Sequence, residues 1–343
     1  MRKKTALITG SAGQDGSYLS ELLLKKNYRV IAGDRRSSRN DNWRHNYLKI
    51  DKKIIYEDFD LSDIDSIFRL FQKYKFDEVY NLAAQSFVKT SFTTPLSTSN
   101  VTGLGTLRIL EMIRCFSPKS KFYQASSSEM FGKTKNNSQN ESTNFNPRSP
   151  YAISKVFSHY ITKNYRESYG IYACSGILFN HESPIRGEEF VTRKITKQLS
   201  EIKVGKRKIL ELGNIHAKRD WGYAKDYVEA MWLMLQQKKA DDYVIATNKT
   251  FSIKYFLNEC CKLLKIKIKW TGKGIKEKAI DINTRKTIIK INSKYFRPAE
   301  VGYLKGNYKK ANKSLKWKPK TNLKRLIKIM IEEDYKRISG HSL

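Results

Sequence analysis

No apolar run in this chain approaches the roughly 18 residues that a membrane-crossing helix requires, so no membrane partner is expected. The basic start Met1-Arg2-Lys3-Lys4 leads only into the short apolar stretch 5–9, and Gly10, Gln14 and Asp15 end its likeness to a signal peptide. Cysteine is scarce. Cys115, Cys174, Cys260 and Cys261 form no C-x-x-C pair, which points to free thiols and a cytoplasmic protein. The histidines His45, His159, His181, His216 and His341 are dispersed, none with a cysteine at ligand spacing, so no metal site is expected. Internal repeats and low-complexity linkers are lacking too. Acid is in short supply, with 33 Asp and Glu against 66 Lys and Arg and a net charge of +33, so an anionic partner has to be considered. Yet no aromatic-interleaved basic motif or helix-turn-helix pattern stands out. The basic residues are spread from end to end, which reads as compositional drift and disfavours nucleic acid as the partner. The same field would steer a nucleotide diphosphate toward the protein.

What is there is enough for a core: 343 residues, 40% of them hydrophobic, suit one large or two interlocked domains. From Thr5 to about Asn180 short β-rich runs alternate with helical stretches. Strands are expected at 5–8, 29–32, 54–56, 79–82, 121–125 and 172–177, and helices at 17–26, 64–74, 101–116 and 151–169. That rhythm predicts βαβ units and an α/β fold, a Rossmann-type doubly wound parallel sheet whose ligands sit at the carboxyl ends of the strands. Further on, helices at 191–202, 225–237, 253–264 and 323–338 and a strand at 243–246 suggest a smaller, interleaved α/β substrate-binding lobe. Residues 1–180, with a returning segment at about 216–250, are assigned to the dinucleotide-binding domain, and 181–215 with 251–343 mainly to the lobe. The polar stretch 133–150 reads as a surface loop near the site, and the Lys/Ile-rich stretch 265–294 as loops and strands.

Gly10-Ser11-Ala12-Gly13-Gln14-Asp15-Gly16 follows the first strand and opens the first helix, the context in which a glycine fingerprint has meaning. The glycines permit a tight turn and let backbone N–H groups reach a pyrophosphate at the helix N-terminus. Its G-x-x-G-x-x-G spacing is the short-chain dehydrogenase/reductase variant. The second strand ends in Asp34-Arg35-Arg36-Ser37-Ser38, which carries two opposed signals. An acidic residue here suits the ribose diol of NAD, whereas paired arginines bind the extra phosphate of NADP as forks, and NADP is favoured. The plain alternative is a pair of arginines on a solvated loop.

Tyr151 and Lys155, four apart at the start of a helical pattern, share one face. A nearby ammonium is expected to favour the phenolate and lower the tyrosine pKa from about 10. Ala125-Ser126-Ser127-Ser128-Glu129 ends the fifth strand, where a hydroxyl can hold a substrate oxygen beside Tyr151. Glu129 is unnecessary for simple hydride transfer. A reaction that also removes a carbon-bound proton and expels water needs such an acid/base, although a structural Glu capping the loop would read the same.

Through these residues the chain resembles the extended short-chain dehydrogenase/reductases and, within them, the GDP-mannose 4,6-dehydratases, over nearly everything from Thr5 to about Asp334. The carrying strings are 13–19, 35–38, 81–86, 147–152, 178–184, 190–195 and 219–222. The resemblance implies that Tyr151 takes the proton from the sugar O4 as hydride leaves C4 for NADP, that Lys155 holds the nicotinamide ribose, and that Ser127 bonds near O4. Glu129 would remove the C5 proton, acidified by the 4-keto group, and help water leave C6. Implied cofactor contacts are Gly10, Gly13, Gln14, Asp15, Gly16, Arg35, Arg36, Ser37, Ser38, Asp60, Leu61, Leu82, Ala83, Ala84, Gln85, Ser86, Lys155, His181 and Arg186. Implied substrate contacts are Ser86, Asn180, Lys194, Arg219, Arg297 and Glu300. A homo-oligomer, dimer or tetramer, is implied as well.

Three departures mark this chain. Ser127 replaces the usual Thr, Ser97 stands where a cofactor-contacting tyrosine is expected, and 41–45 diverges in a stretch that the family uses for cofactor binding and assembly. The same dehydration of another GDP-sugar, such as a GDP-manno-heptose, is the nearest rival. A plain reductase or epimerase and a basic nucleic-acid-binding protein are the others.

Overall fold

The computed structural model describes residues 2–37, 42–134, 137–296 and 301–343. Seven strands form its central sheet: β1 (Thr5–Thr9), β2 (Arg29–Asp34), β3 (Ile55–Asp58), β4 (Glu78–Asn81), β5 (Lys121–Ser127), β6 (Ala173–Leu178) and β7 (Tyr243–Ile245). They lie in the order β7-β6-β5-β4-β1-β2-β3, every neighbouring pair parallel. Parallel strands joined by crossover helices are covered on both faces, and so every residue of β1, β4 and β6 is buried.

Each face has its own packing. Tyr18, Leu19 and Leu23 of helix Gln14–Lys25 share a core with Val228, Met231 and Leu235 of helix Ala224–Leu235. Ile67, Leu70 and Phe71 of helix Ile64–Lys73 share another with Ile109, Leu110 and Ile113 of helix Gly105–Phe116 and Tyr165 of helix Pro150–Tyr169. Local chemistry fixes where these helices start and stop. Asp63 accepts from the Asp65 and Ser66 N–H groups. Ser149 caps the Ala152 N–H with Pro150 in the first turn, and Gly170, left-handed at φ 66°, ends that helix.

The strand order reverses between β1 and β4, which opens a crevice at their carboxyl ends. Into it project the loop from Gly10, the loop after Asn81 and the turn after Ser127. A further core gathers helices Val191–Lys203, Ile253–Leu263 and Leu323–Ser339 over a four-stranded sheet of Ile268–Thr271, Lys278–Asp281, Thr287–Ile291 and Leu210–Leu212. The doubly wound parallel sheet is thus as expected, with the strand near 243 as its seventh member. One helix differs: the turns Ser99–Leu104 are wound as a π-helix before Gly105–Phe116. Helices Trp43–Tyr47, Val88–Thr93, Pro95–Thr98 and Lys309–Leu315 were not foreseen, being too short to show a period. Among the described residues no helix is long and apolar enough to cross a membrane.

Candidate active site

β5 delivers Ser127 to the crevice and turns at once into the 3-10 segment Ser128–Met130, where the Glu129 N–H donates to Ser127 Oγ at 3.2 Å. Helix Pro150–Tyr169 brings in Tyr151 and Lys155, both buried. These four side chains line one cleft together with Asp15, Leu82, Ala84, Ser86, Asn180, His181, Arg186 and Lys194. Sequence positions from six different segments therefore converge as the doubly wound pattern requires.

The electrostatics of the tyrosine differ from the expectation. Burial pushes the Tyr151 phenol up to about 12; the hydrogen bond with Ser127 offsets part of this and the Glu129 charge adds to it. Lys155 is engaged elsewhere. Its Nζ donates to the Ala125 carbonyl at 2.7 Å and lies 5.9 Å from the centre of the Tyr151 ring. Burial also lowers the ammonium itself to about 8, against the opposing charge of Asp15. Desolvation wins in both groups because neither has a full counter-charge in contact.

Asp15 and His181 do have one. His181 Nε2 is 2.7 Å from Asp15 Oδ2, and Nδ1 is 2.7 Å from the Phe179 carbonyl, so both ring nitrogens face acceptors. Burial disfavours the imidazolium, but the carboxylate outweighs it and holds the His181 pKa above its usual value. The reverse holds for Asp15, whose carboxyl stays below the usual range despite burial. Tyr227 stacks on the ring at 4.6 Å. Gln14 completes the support, donating to the His181 carbonyl at 3.1 Å and accepting from Ser183.

A dinucleotide fits the loop after β1. Gly10 is left-handed at φ 69° and its absent Cβ would stand 2.9 Å from the Ala83 backbone, while a Cβ at Gly16 would meet the Gly10 carbonyl at 2.4 Å. Gly13 caps helix Gln14–Lys25 with no side chain on its first-turn N–H groups, which leaves a donor-rich end for a pyrophosphate. A second cleft adjoins, lined by Gly10, Arg35, Arg36, Ser37, Asp60, Leu61, Ala83, Ala84, Gln85 and also Ser97. Here the two opposed signals at the end of β2 separate. The Asp34 carboxylate accepts from the Ser11 hydroxyl and from the Ala12 N–H at 3.2 Å, so it is turned into the glycine loop. Arg35 and Arg36 stay exposed at the cleft.

Some expected positions stand apart. Gly13, Gln14 and Gly16 act from behind the clefts, as described, and Arg219 is buried with its guanidinium on the Lys218 carbonyl at 3.0 Å, lining neither cleft. Ser38, Arg297 and Glu300 lie outside the described residues. Conversely, Phe87, Lys89, Phe190 and Tyr295 line the main cleft without having been singled out. Phe87 and Phe190 meet edge to face at 6.0 Å, and the Lys194 ammonium sits 3.7 Å over the Tyr295 ring. Phe87 directly follows the string 81–86 and Phe190 opens 190–195; nothing in the sequence marks Tyr295.

A family model described as GDP-mannose 4,6 dehydratase matches residues 7–330. The GDP-mannose 4,6 dehydratase of Dictyostelium discoideum is 48% identical over 347 residues, covering 98% of each chain. GDP-mannose 4,6 dehydratase 1 of Arabidopsis thaliana is 49% identical over 342 residues, covering 97% of this chain and 90% of the plant protein. In fold, the chain is similar to DesIV, a dTDP-glucose 4,6-dehydratase of Streptomyces venezuelae solved with NAD and TYD, at a TM-score of 0.82 with 19% identity and 98% of both chains covered.

Proposed function

This chain belongs to the GDP-mannose 4,6-dehydratase family, and on that premise we propose that it converts GDP-mannose to GDP-4-keto-6-deoxymannose and water through an NADP that it retains. The observation that carries the reading is the meeting of Ser127, Glu129, Tyr151 and Lys155 in one cleft beside the glycine loop. A phenol, a hydroxyl and a carboxylate there match a reaction that first oxidises an alcohol and then eliminates water.

When bound, the nicotinamide supplies a hydride acceptor for C4, the same hydride for C6, and a positive charge while oxidised. Tyr151 then takes the O4 proton; with a phenol near 12 it relies on neighbouring positive charge to act as a base near neutrality. Ser127 holds O4 and Lys155 orients the ribose. Glu129 removes the C5 proton made acidic by the 4-keto group and passes a proton to the departing C6 hydroxyl, which leaves as water; as C6 is reduced, C5 regains a proton equivalent to the one Tyr151 took from O4, so that water is all the sugar loses. Ser86, Asn180 and Lys194, which line the cleft, are assigned to the GDP-sugar together with Arg297 and Glu300, while Arg219, buried outside both clefts, is not.

NADP is favoured over NAD because the Asp34 carboxylate is engaged by Ser11 and Ala12, while exposed Arg35 and Arg36 line the second cleft alongside it. A homo-oligomer is supported by the exposed apolar residues Leu104, Ile153, Phe157 and Tyr160. The central sheet with its helices serves as the cofactor domain, and the Leu323–Ser339 core as the substrate lobe. Buried, unpaired Cys174, Cys260 and Cys261 suit a cytoplasmic setting. Incubating the purified protein with GDP-mannose and no added cofactor tests the reading: a product lighter by one water is expected, and unchanged substrate after NADP is supplied as well would refute it.

A further inference from the structure

Three consecutive carbonyls behind the cleft, those of Pro184, Ile185 and Arg186, each accept from an arginine that arrives on a different helix. Arg337 of helix Leu323–Ser339 reaches Pro184 at 2.6 Å, Arg44 of helix Trp43–Tyr47 reaches Ile185 at 2.7 Å, and Arg193 of helix Val191–Lys203 reaches Arg186 at 3.0 Å. From within, Ser183 accepts from the Ile185 N–H at 3.2 Å and the Arg186 N–H at 3.1 Å. A solvated turn needs no such attention, since water satisfies its carbonyls. Here three charged donors fix one short segment, and the side chain that segment carries is Arg186. That guanidinium lines the cleft, resting 3.8 Å from the centre of the Phe190 ring and 3.4 Å from Glu182.

Arg44 reaches a second loop as well. Its Nη1 donates to the Ala12 carbonyl at 3.0 Å, inside the glycine loop, while the adjacent His45 Nε2 lies 2.9 Å from the Ser11 carbonyl. A single planar fork thereby bridges the loop that opens the dinucleotide site and the loop that presents Arg186. A lysine, a point charge on a flexible stem, cannot span both. Resting on the reading that this cleft takes a nicotinamide dinucleotide, we infer that Arg44 is a positioning residue for cofactor retention: it locks the Arg186 loop to the glycine loop, so that both walls meet the dinucleotide in one geometry. Arg193 and Arg337 hold the same loop from the far side.

The test is direct titration of NADPH, by fluorescence, into the wild type, Arg44→Ala, Arg44→Lys, Arg186→Ala and the double variant Arg44→Ala/Arg186→Ala, with melting temperatures taken in parallel. Losing a charged donor that fixes two loops is expected to weaken NADPH about tenfold in Arg44→Ala, with Arg44→Lys recovering part of that loss. In the Arg186→Ala background the Arg44 change should add less than about twofold, because its effect runs through Arg186. Wild-type affinity in Arg44→Ala, or losses at 44 and 186 that simply multiply, would overturn the inference. If Arg44→Ala does not fold, Arg44→Lys decides: a several-fold loss supports the role and none refutes it. A wild type that binds NADPH yet leaves GDP-mannose intact sinks the proposed reaction alone, whereas one that binds no nicotinamide dinucleotide sinks both.

Discussion

Replacing Asp15 with Ala should cost the protein a pH-dependent share of its stability, because among the described residues the carboxylate is the one counter-ion in contact with the His181 ring. The histidine side chain is 9% exposed and the aspartate 20%, so the pair is mostly buried, and removing one member leaves a charge with no partner. Such losses run from about 3 to 5 kcal/mol, and the partial exposure of Asp15 places this one near 3. With an unfolding entropy of about 2.1 cal/mol/K per residue, 343 residues give roughly 0.7 kcal/mol per degree, so the melting temperature should fall by about 4 °C. The sign with pH is set by both groups. His181 is raised above its usual value of about 6.5, so its contribution is whole below that pH and fades as pH rises through the folded value. Asp15 is depressed, so its contribution is present above about 3.9 and lost as pH falls through its lower folded value. The gap between wild type and variant should therefore be widest from about pH 4 to 6.5 and narrow at higher pH. Asp15→Asn provides the control. A neutral His181 can donate from Nδ1 to the Phe179 carbonyl and accept at Nε2 from the new amide, so the loss should be about 1 kcal/mol and nearly flat with pH. Circular dichroism melts of the cofactor-free proteins at matched ionic strength measure all three. A gap that widens above pH 7, or equal losses for Ala and Asn, would refute the pairing.

Glu129→Gln should lower the rate of water loss by at least about a hundredfold while exchange of the C5 hydrogen with deuterated solvent disappears; exchange at the wild-type rate would reassign the base. Lys155, with its ammonium at about 8, should support kcat/KM only below that pH, and Lys155→Arg should move the falling limb to higher pH. An unmoved limb would mean that another group titrates there. Changing Arg35 and Arg36 together to Ala should weaken NADPH by about tenfold or more and leave NADH within about twofold, as measured by titration. Equal losses for both would return the arginines to the status of surface charges.

How much of this was legible differs from element to element. β1 and β2 announce themselves because strands covered on both faces are continuous apolar runs, and the glycine loop follows directly from its place after the first. Tyr151, Lys155 and Glu129 were readable as residue types at helical and strand-end spacing. Their protonation was not, since it depends on how dry the folded cleft is: the same Lys155 that spacing makes a helper of Tyr151 is, in three dimensions, bonded to the Ala125 carbonyl. Asp34 was ambiguous for a similar reason, its role depending on which way a side chain turns. Trp43–Tyr47 spans little more than one turn and shows no period, so Arg44 could be found only by following the carbonyls it satisfies.

The central sheet closes late in synthesis. β6 stays without its outer neighbour until the whole stretch from 180 to 242 has been made, and only then do Tyr243–Ile245 pair with Gly176–Leu178 and Asp242 bind Arg166 and the Ser175 amide. A nascent or truncated chain that stops short of this point presents a ready template for mispairing on a strand that is buried along its whole length in the folded protein. Expression of this protein should accordingly depend on chaperones in that interval, and fragments ending before Ile245 should be recovered as aggregates, however well their dinucleotide half is formed.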